Sequence, residues 1–292
     1  MGRELAEEFP CARETLEEAD EALSFALSRL CFEGPEEQLN LTENTQPALV
    51  ACSWALARVL RQELGLEPAW AAGHSLGEFT ALVAAGALSF PDALRLVRER
   101  GRAMQEAVPV GQGGMAAILG LELEEVESLC REAAGGEIVS PANLNAPAQV
   151  VIAGATAAVA RAAAIAKERG AKRVVELTVS APFHCSLMEP AARRLEQALS
   201  TVEIAPLRLR VIANVTGEPY PGPDAVRDLL VRQVTSPVRW QDSIVVLEGL
   251  GCALALEVGP GTVLTGLVRR ITSGIRCLPA SDLQKLQQQL AA

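Results

Sequence analysis

The chain has 292 residues, is 49% hydrophobic, and sets 26 basic against 36 acidic side chains for a net charge of −10. That length can hold a substantial core, and that charge argues against a nucleic-acid binder. Seven cysteines without C-x-x-C spacing and two distant histidines argue against a disulfide framework or a structural metal, and no apolar run approaches the ~18 residues of a membrane span.

Glu4, Glu7 and Glu8 make an acidic start rather than a secretory leader, so reduced thiols in a cytoplasmic setting are expected. A helix is predicted over 12–30, and another over 46–64, with Thr42 or Thr45 as cap and Gly65 as stop. Ala69-Trp70-Ala71-Ala72 reads as a short buried strand and 78–87 as an Ala-rich helix. Pro91 opens a helix to about Val108, and 109–114 reads as a linker. Next come a strand over 115–119, a helix over 122–133, strands over 138–144 and 149–153, a helix over 156–169 and a strand over 173–179. That β-α-β-β-α-β order is ferredoxin-like. Helices over 187–200, 224–233 and 262–272 then alternate with strands over 208–213 and 253–258. The expected fold class is α/β. Its larger domain would comprise residues 1–108 and 181–292, and the inserted subdomain residues 109–180.

Gly73-His74-Ser75-Leu76-Gly77 lies between the predicted strand and helix, the setting in which G-x-S-x-G becomes a nucleophile elbow. There the serine hydroxyl stands at a helix N-terminus, where backbone N–H groups favour a developing oxyanion. His74 adjoins the serine and points away from it at a strand end. If a histidine activates Ser75, His184 is the only remote one in the chain.

The helix from Pro91 carries Arg95, Arg98, Arg100 and Arg102. Ala93, Leu96, Val97, Met104 and Ala107 define its apolar face. Arg100 falls within roughly 15° of the centre of that face, whereas the other three lie opposite. A guanidinium there keeps its charge and needs an anionic partner. Two partners remain open, a core carboxylate of the protein or a carboxylate carried by the substrate's acyl group.

Taken in order, several segments resemble the malonyl-CoA:acyl-carrier-protein transacylases. They are Thr45-Gln46-Pro47-Ala48-Leu49, Gly73 through Glu78, Arg100-Gly101-Arg102-Ala103-Met104-Gln105, Gly114-Met115-Ala116-Ala117 and Asn143-Leu144-Asn145-Ala146-Pro147. Ala181-Pro182-Phe183-His184-Cys185, Ser236-Pro237-Val238-Arg239-Trp240 and Glu257-Val258-Gly259-Pro260-Gly261 complete the set. The resemblance implies an α/β-hydrolase-like core with the ferredoxin-like insertion. It implies Ser75 as nucleophile, His184 as base, the backbone carbonyl of Gln233 orienting that base, and Leu76 giving an oxyanion N–H. It also implies Arg100 on the malonyl carboxylate and Phe183 in the malonyl-selecting position, and His74 is grouped with the substrate-binding residues. The implied reaction is ping-pong transfer from malonyl-CoA to the phosphopantetheine thiol of acyl carrier protein in fatty-acid synthesis, without metal or cofactor. A monomer is expected.

The family begins with a strand and a Gly-Gln-Gly-Ser-type loop that supplies a second oxyanion donor, and Met1-Gly2-Arg3-Glu4-Leu5 resembles the piece after that loop. The expectation is a start at an internal methionine, with roughly fifteen residues, about a strand and a loop, lying upstream. Gln112 superficially resembles the loop but sits in the linker and reads as a hinge. Asn143 and Asn145 either line the acyl pocket or form a turn before Pro147. Cys185 reads as a small buried hydrophobe. Arg269-Arg270 and the group Lys167, Arg169, Lys172 and Arg173 read as solvated faces, so no carrier-binding residue is assigned. Alternatives to the transferase are a serine hydrolase and a non-catalytic carrier-binding module.

Overall fold

A computed structural model describes residues 1–179 and 181–291. The expected domain boundary at residue 180 and the last residue of the chain lie outside them. The chain opens with α1 (Arg3–Glu8), α2 (Pro10–Leu23), α3 (Leu27–Glu33), α4 (Glu36–Leu39) and α5 (Thr42–Leu64). The predicted 12–30 helix is thus two helices. Ser24 turns left-handed at φ 55°, and Asp20 reaches across the break to accept from the Ser28 N–H at 2.7 Å and its hydroxyl. Thr42 is the first residue of α5, and Thr45 donates back to the Leu39 and Leu41 carbonyls, so neither threonine stands at the cap. Gly65, at φ 62°, stops α5 as expected.

Next come β1 (Trp70–Ala71), α6 (Gly77–Ala84) and α7 (Phe90–Glu106). Ser89 caps α7 by accepting from the Asp92 N–H at 3.1 Å, with Pro91 in the first turn. Residues 113–177 follow as β2 (Gly113–Leu119), α8 (Leu123–Ala133), β3 (Val139–Ala146), β4 (Gln149–Ala155), α9 (Thr156–Glu168) and β5 (Arg173–Leu177). Their antiparallel sheet has the order β3-β4-β2-β5, the ferredoxin-like arrangement. One face packs on α8 and α9 through Ile118, Val126, Leu129, Ile152 and Ala162. The other presents Met115, Ala142 and Val151 to Cys185 and Phe183. Asn143 and Asn145 belong to β3 and not to a loop. Register shifts at 141/143 and 144/146 let the strand carry them toward the larger core.

The chain finishes with α10 (Glu189–Leu199), β6 (Arg210–Val211), α11 (Val226–Thr235), α12 (Trp240–Gly249), β7 (Leu254–Glu257), α13 (Val263–Ile271), β8 (Arg276–Pro279) and α14 (Leu283–Ala291). β1 pairs in parallel with β6, and β7 in parallel with β8. The largest core joins α2, α5, α6, α7, α10 and α11 through Leu16, Val50, Phe79, Leu94, Leu195 and Leu230. At the α5/α7 crossing, a Cβ on Gly101 would lie 2.6 Å from the Thr42 carbonyl oxygen. Glycine at that position lets α7 approach closely enough to bury its neighbour Arg100.

Candidate active site

The turn between β1 and α6 holds Ser75 at φ 51°, a left-handed conformation that costs a non-glycine residue on the order of 1–3 kcal/mol. Its surroundings hold it there. Asn214 accepts from the Ser75 N–H at 2.7 Å and donates to the Gly73 carbonyl at 2.7 Å, while Gln233 Nε2 donates to the Ser75 carbonyl at 2.8 Å. Gly73 is required by close approach, since a Cβ on it would stand 1.9 Å from the Gly77 carbonyl carbon. The tight turn leaves the serine hydroxyl at the start of α6.

His184 sits 109 residues later in a second left-handed turn, φ 61°, just before α10. Its Nε2 lies 2.7 Å from Ser75 Oγ and its Nδ1 lies 2.8 Å from the Gln233 carbonyl oxygen. A carbonyl can only accept, so Nδ1 carries the proton and Nε2 is the acceptor for the serine hydroxyl. Burial, then the Arg100 charge and that of His74, lower the His184 pKa to about 3 against the opposing pull of the Gln233 carbonyl. The imidazole is therefore neutral and ready to take a proton.

Arg100 is 2% exposed. Its Nη2 donates to Ser75 Oγ at 3.0 Å and to Gln233 Oε1 at 2.9 Å, and its Nη1 donates to Gln46 Oε1 at 2.7 Å. Nε has no hydrogen-bond partner among the described residues. Burial lowers its pKa to about 10, so it stays charged at neutral pH. Among the described residues no carboxylate lies within ion-pair distance of it. The core-carboxylate reading of Arg100 therefore has no direct partner, and the guanidinium faces the nucleophile instead.

A model of the acyl transferase domain matches residues 1–284. The chain belongs to the acyl transferase family. It is 48% identical over 292 residues to the malonyl CoA-acyl carrier protein transacylase of Escherichia coli K12, covering 100% of this chain and 94% of that protein. The structure of the malonyl CoA-acyl carrier protein transacylase from Coxiella burnetii superimposes with a TM-score of 0.97 at 42% identity, covering 100% of this chain and 92% of that one. A malonyl-transacylase solved in complex with its type II PKS acyl-carrier protein matches with a TM-score of 0.94 at 45% identity, over 98% of this chain and 93% of that one. The fold of this acyl transferase is accordingly an α/β-hydrolase-like core with a ferredoxin-like subdomain.

The other expected positions of the acyl transferase site gather around this centre. His74 Nε2 lies 2.8 Å from Asn145 Oδ1, and its ring stands 5.7 Å from that of Trp240. Asn143 is buried on β3 and pairs with Val238. Leu76 is the N-cap residue just before α6, and its N–H makes no hydrogen bond among the described residues. Phe183 packs, half-buried, between the main core and the inner face of the subdomain. Cys185 is 1% exposed, its thiol donating to the Pro182 carbonyl and pushed up by burial to about 11. Beside the elbow, a cavity of about 310 Å³ is lined by His74, Leu76, Asn145, Glu257 and Val263 among others. A larger depression of about 410 Å³, around Arg269 and Arg276, lies apart from this chemistry.

Three polar groups of the acyl transferase site escaped the sequence reading as individuals. Gln46, Asn214 and Glu78 are all buried and bond directly to Arg100, Ser75 or Gln233. Glu78 carried a usable signal, because it is the one charged residue on a mostly apolar helix. Asn214 carried none, since only the fold brings β6 beside β1.

Proposed function

We propose that this acyl transferase moves a malonyl group from malonyl-CoA to the phosphopantetheine thiol of an acyl carrier protein through a malonyl-Ser75 ester. The observation that carries this reading is the Arg100 guanidinium, buried, charged and 3.0 Å from the candidate nucleophile, with no carboxylate among the described residues paired to it. A simple esterase has no use for a cation over its acyl pocket, whereas a dicarboxylic acyl group matches the guanidinium fork.

In the first half-reaction, Ser75 Oγ attacks the thioester carbonyl as His184 Nε2 takes its proton. The Leu76 N–H is the candidate donor to the oxyanion. Collapse breaks the carbon–sulfur bond, and the leaving CoA sulfur receives the proton back from His184. In the second half-reaction the carrier thiol gives His184 its proton and attacks the ester carbonyl; the carbon–Oγ bond breaks, and Ser75 Oγ takes the proton back from His184. The Gln233 carbonyl fixes the imidazole tautomer through both halves. Arg100 orients the acyl carboxylate, and His74, Asn143, Asn145 and Phe183 line the acyl side. Residues 109–180 are read as the subdomain closing over this site, and no metal or cofactor takes part.

Relatives named for malonyl transfer to carrier protein support this substrate pair, and the match to a transacylase bound to its carrier supports a protein acceptor. Fatty-acid synthesis is the proposed pathway. Buried free cysteines support a reducing, cytoplasmic setting, and a monomer is the proposed state.

The test is the intact mass of the protein after mixing with malonyl-CoA. A malonyl adduct is expected on the parent and absent from Ser75→Ala. Arg100→Ala should lose about 10²-fold or more in kcat/KM for malonyl-CoA, the scale of removing one partner of a buried charge pair. No adduct on the folded parent would sink the reading.

A further inference from the structure

Glu78 is fully buried in the first turn of α6, three residues after Ser75, and among the described residues it lies within ion-pair distance of no cation. Its Oε1 accepts from the Tyr220 hydroxyl and from the Asn214 N–H at 3.3 Å, and its Oε2 accepts from Gln233 Nε2 at 2.6 Å. Gln233 turns its other end, Oε1, to Arg100 Nη2 at 2.9 Å. The buried anion and the buried cation therefore meet at one remove, through a single side-chain amide.

An amide has a donor end and an acceptor end, so its orientation decides what Arg100 meets. We propose that Glu78 is a specificity-positioning residue: with the Ser75 carbonyl, its carboxylate holds the NH₂ end of the Gln233 amide and so keeps the amide oxygen toward Arg100, which holds the guanidinium in place and leaves it free for the acyl carboxylate. This rests on the malonyl reading above. A carboxylate bonded directly to Arg100 would compete with the substrate for the same fork. A site without any nearby anion would leave the guanidinium uncountered in the core. Burial raises the Glu78 pKa to about 7, against the hydrogen bonds it accepts and the Arg100 charge, so its role is tested above pH 7, where the group is a carboxylate.

Glu78→Gln separates orientation from bulk. The Asn214 backbone N–H cannot turn, so the introduced amide must keep its oxygen there and present its NH₂ to Gln233. The Gln233 amide then either meets that NH₂ with its own or reverses, setting its NH₂ against Arg100 and its oxygen against the Ser75 carbonyl. In both cases Arg100 loses a firmly held acceptor. Any disturbance at the Ser75 carbonyl slows all acyl donors alike. The ratio of kcat/KM for malonyl-CoA to that for acetyl-CoA, which carries no carboxylate, therefore isolates the clamp.

The experiment measures that ratio for the full chain, for Glu78→Gln and for the exchange Glu78→Gln/Gln233→Glu. The exchange keeps a donor and an acceptor matched between positions 78 and 233 and leaves position 78 accepting from the Asn214 N–H and the Tyr220 hydroxyl. It loses the Gln233 bonds to the Ser75 carbonyl and Asn214 Oδ1, and it puts the carboxylate on Arg100 itself. If Glu78→Gln fails to fold, the exchange is read alone. The ratio is expected to fall by about tenfold or more in each folded variant. A ratio within about twofold of the parent overturns the assignment, since both donors then suffer equally. A ratio that rises in Glu78→Gln overturns it too, because the carboxylate then acts by charge alone. A parent that accepts both donors alike instead overturns the malonyl reading on which the assignment rests.

Discussion

His184 behaves unlike an ordinary histidine. Exposed, an imidazole becomes half-charged near pH 6.5 and ceases to be a base below it. Here burial and the Arg100 charge hold it neutral to about pH 3. Acyl-enzyme formation from acetyl-CoA is therefore expected to keep its rate as pH falls from 7 through 6, with no acid limb at the ordinary histidine value. Arg100→Ala removes one of the lowering charges and should shift the acid limb upward; quenched-flow mass measurement from pH 5 to 8 reads both. Glu78 titrates inside that window, but it bonds to neither Ser75 Oγ nor His184. A limb near pH 6.5 in the parent would show that the imidazole is hydrated and that Arg100 does not act on it.

At the scale of elements, the elbow is a strand, a strained turn and a short helix whose two glycines do different work. A Cβ on Gly73 meets the Gly77 backbone at 1.9 Å and has nowhere to go, whereas a Cβ on Gly77 meets nothing within 4 Å. Gly73→Ala is thus expected to displace the turn and abolish acylation of Ser75. Gly77→Ala should leave the fold intact, since it also replaces glycine by a better helix former at the start of α6. Thermal melts with the acylation assay check the pair; equal losses in both would mean that the turn does not depend on this contact. The G-x-S-x-G spacing was legible because it encodes local geometry. The break at Ser24 was not, because helical periodicity runs through it and only Asp20, folded back onto Ser28, fixes it.

At the scale of the whole molecule, the subdomain meets the elbow through β3. Asn145 Oδ1 bonds to the His74 ring, and the Leu144 N–H and Val238 N–H bond across to the Val238 and Ala142 carbonyls. Asn145→Ala leaves the His74 nitrogen unpaired, and about 1 kcal/mol of stability is expected to be lost, read as a shift in the urea midpoint. The buried titrating groups also set the pH dependence of stability, with opposite signs. His184, lowered from 6.5 to about 3, gives stability that is present above pH 6.5 and lost as pH falls toward 3. Glu78, raised from 4.5 to about 7, gives stability that is present below pH 4.5 and lost as pH rises through 7. The stability of Glu78→Gln relative to the parent is therefore expected to improve between pH 4.5 and 7, in denaturant melts at fixed ionic strength. A flat difference across that window would mean that Glu78 is solvated.

The sequence by itself determined what depends on near neighbours and on period. The ferredoxin-like order of 115–179, the elbow around Ser75, the stop at Gly65 and the inward face of Arg100 all follow from patterns within a few turns of chain. With only two histidines, it also narrowed the base to His184. Tertiary structure decided everything that joins distant segments. Asn143 and Asn145 became strand residues because β3 is bent at two register shifts to meet the elbow, which no local turn signal reveals. Arg100 has no carboxylate partner among the described residues, and Gln233, 133 residues later, stands between it and Glu78. A side chain's face can be read from its period, but its partner is fixed only when remote elements pack, because hydrogen bonds and charges act over a few ångströms of space regardless of separation along the chain.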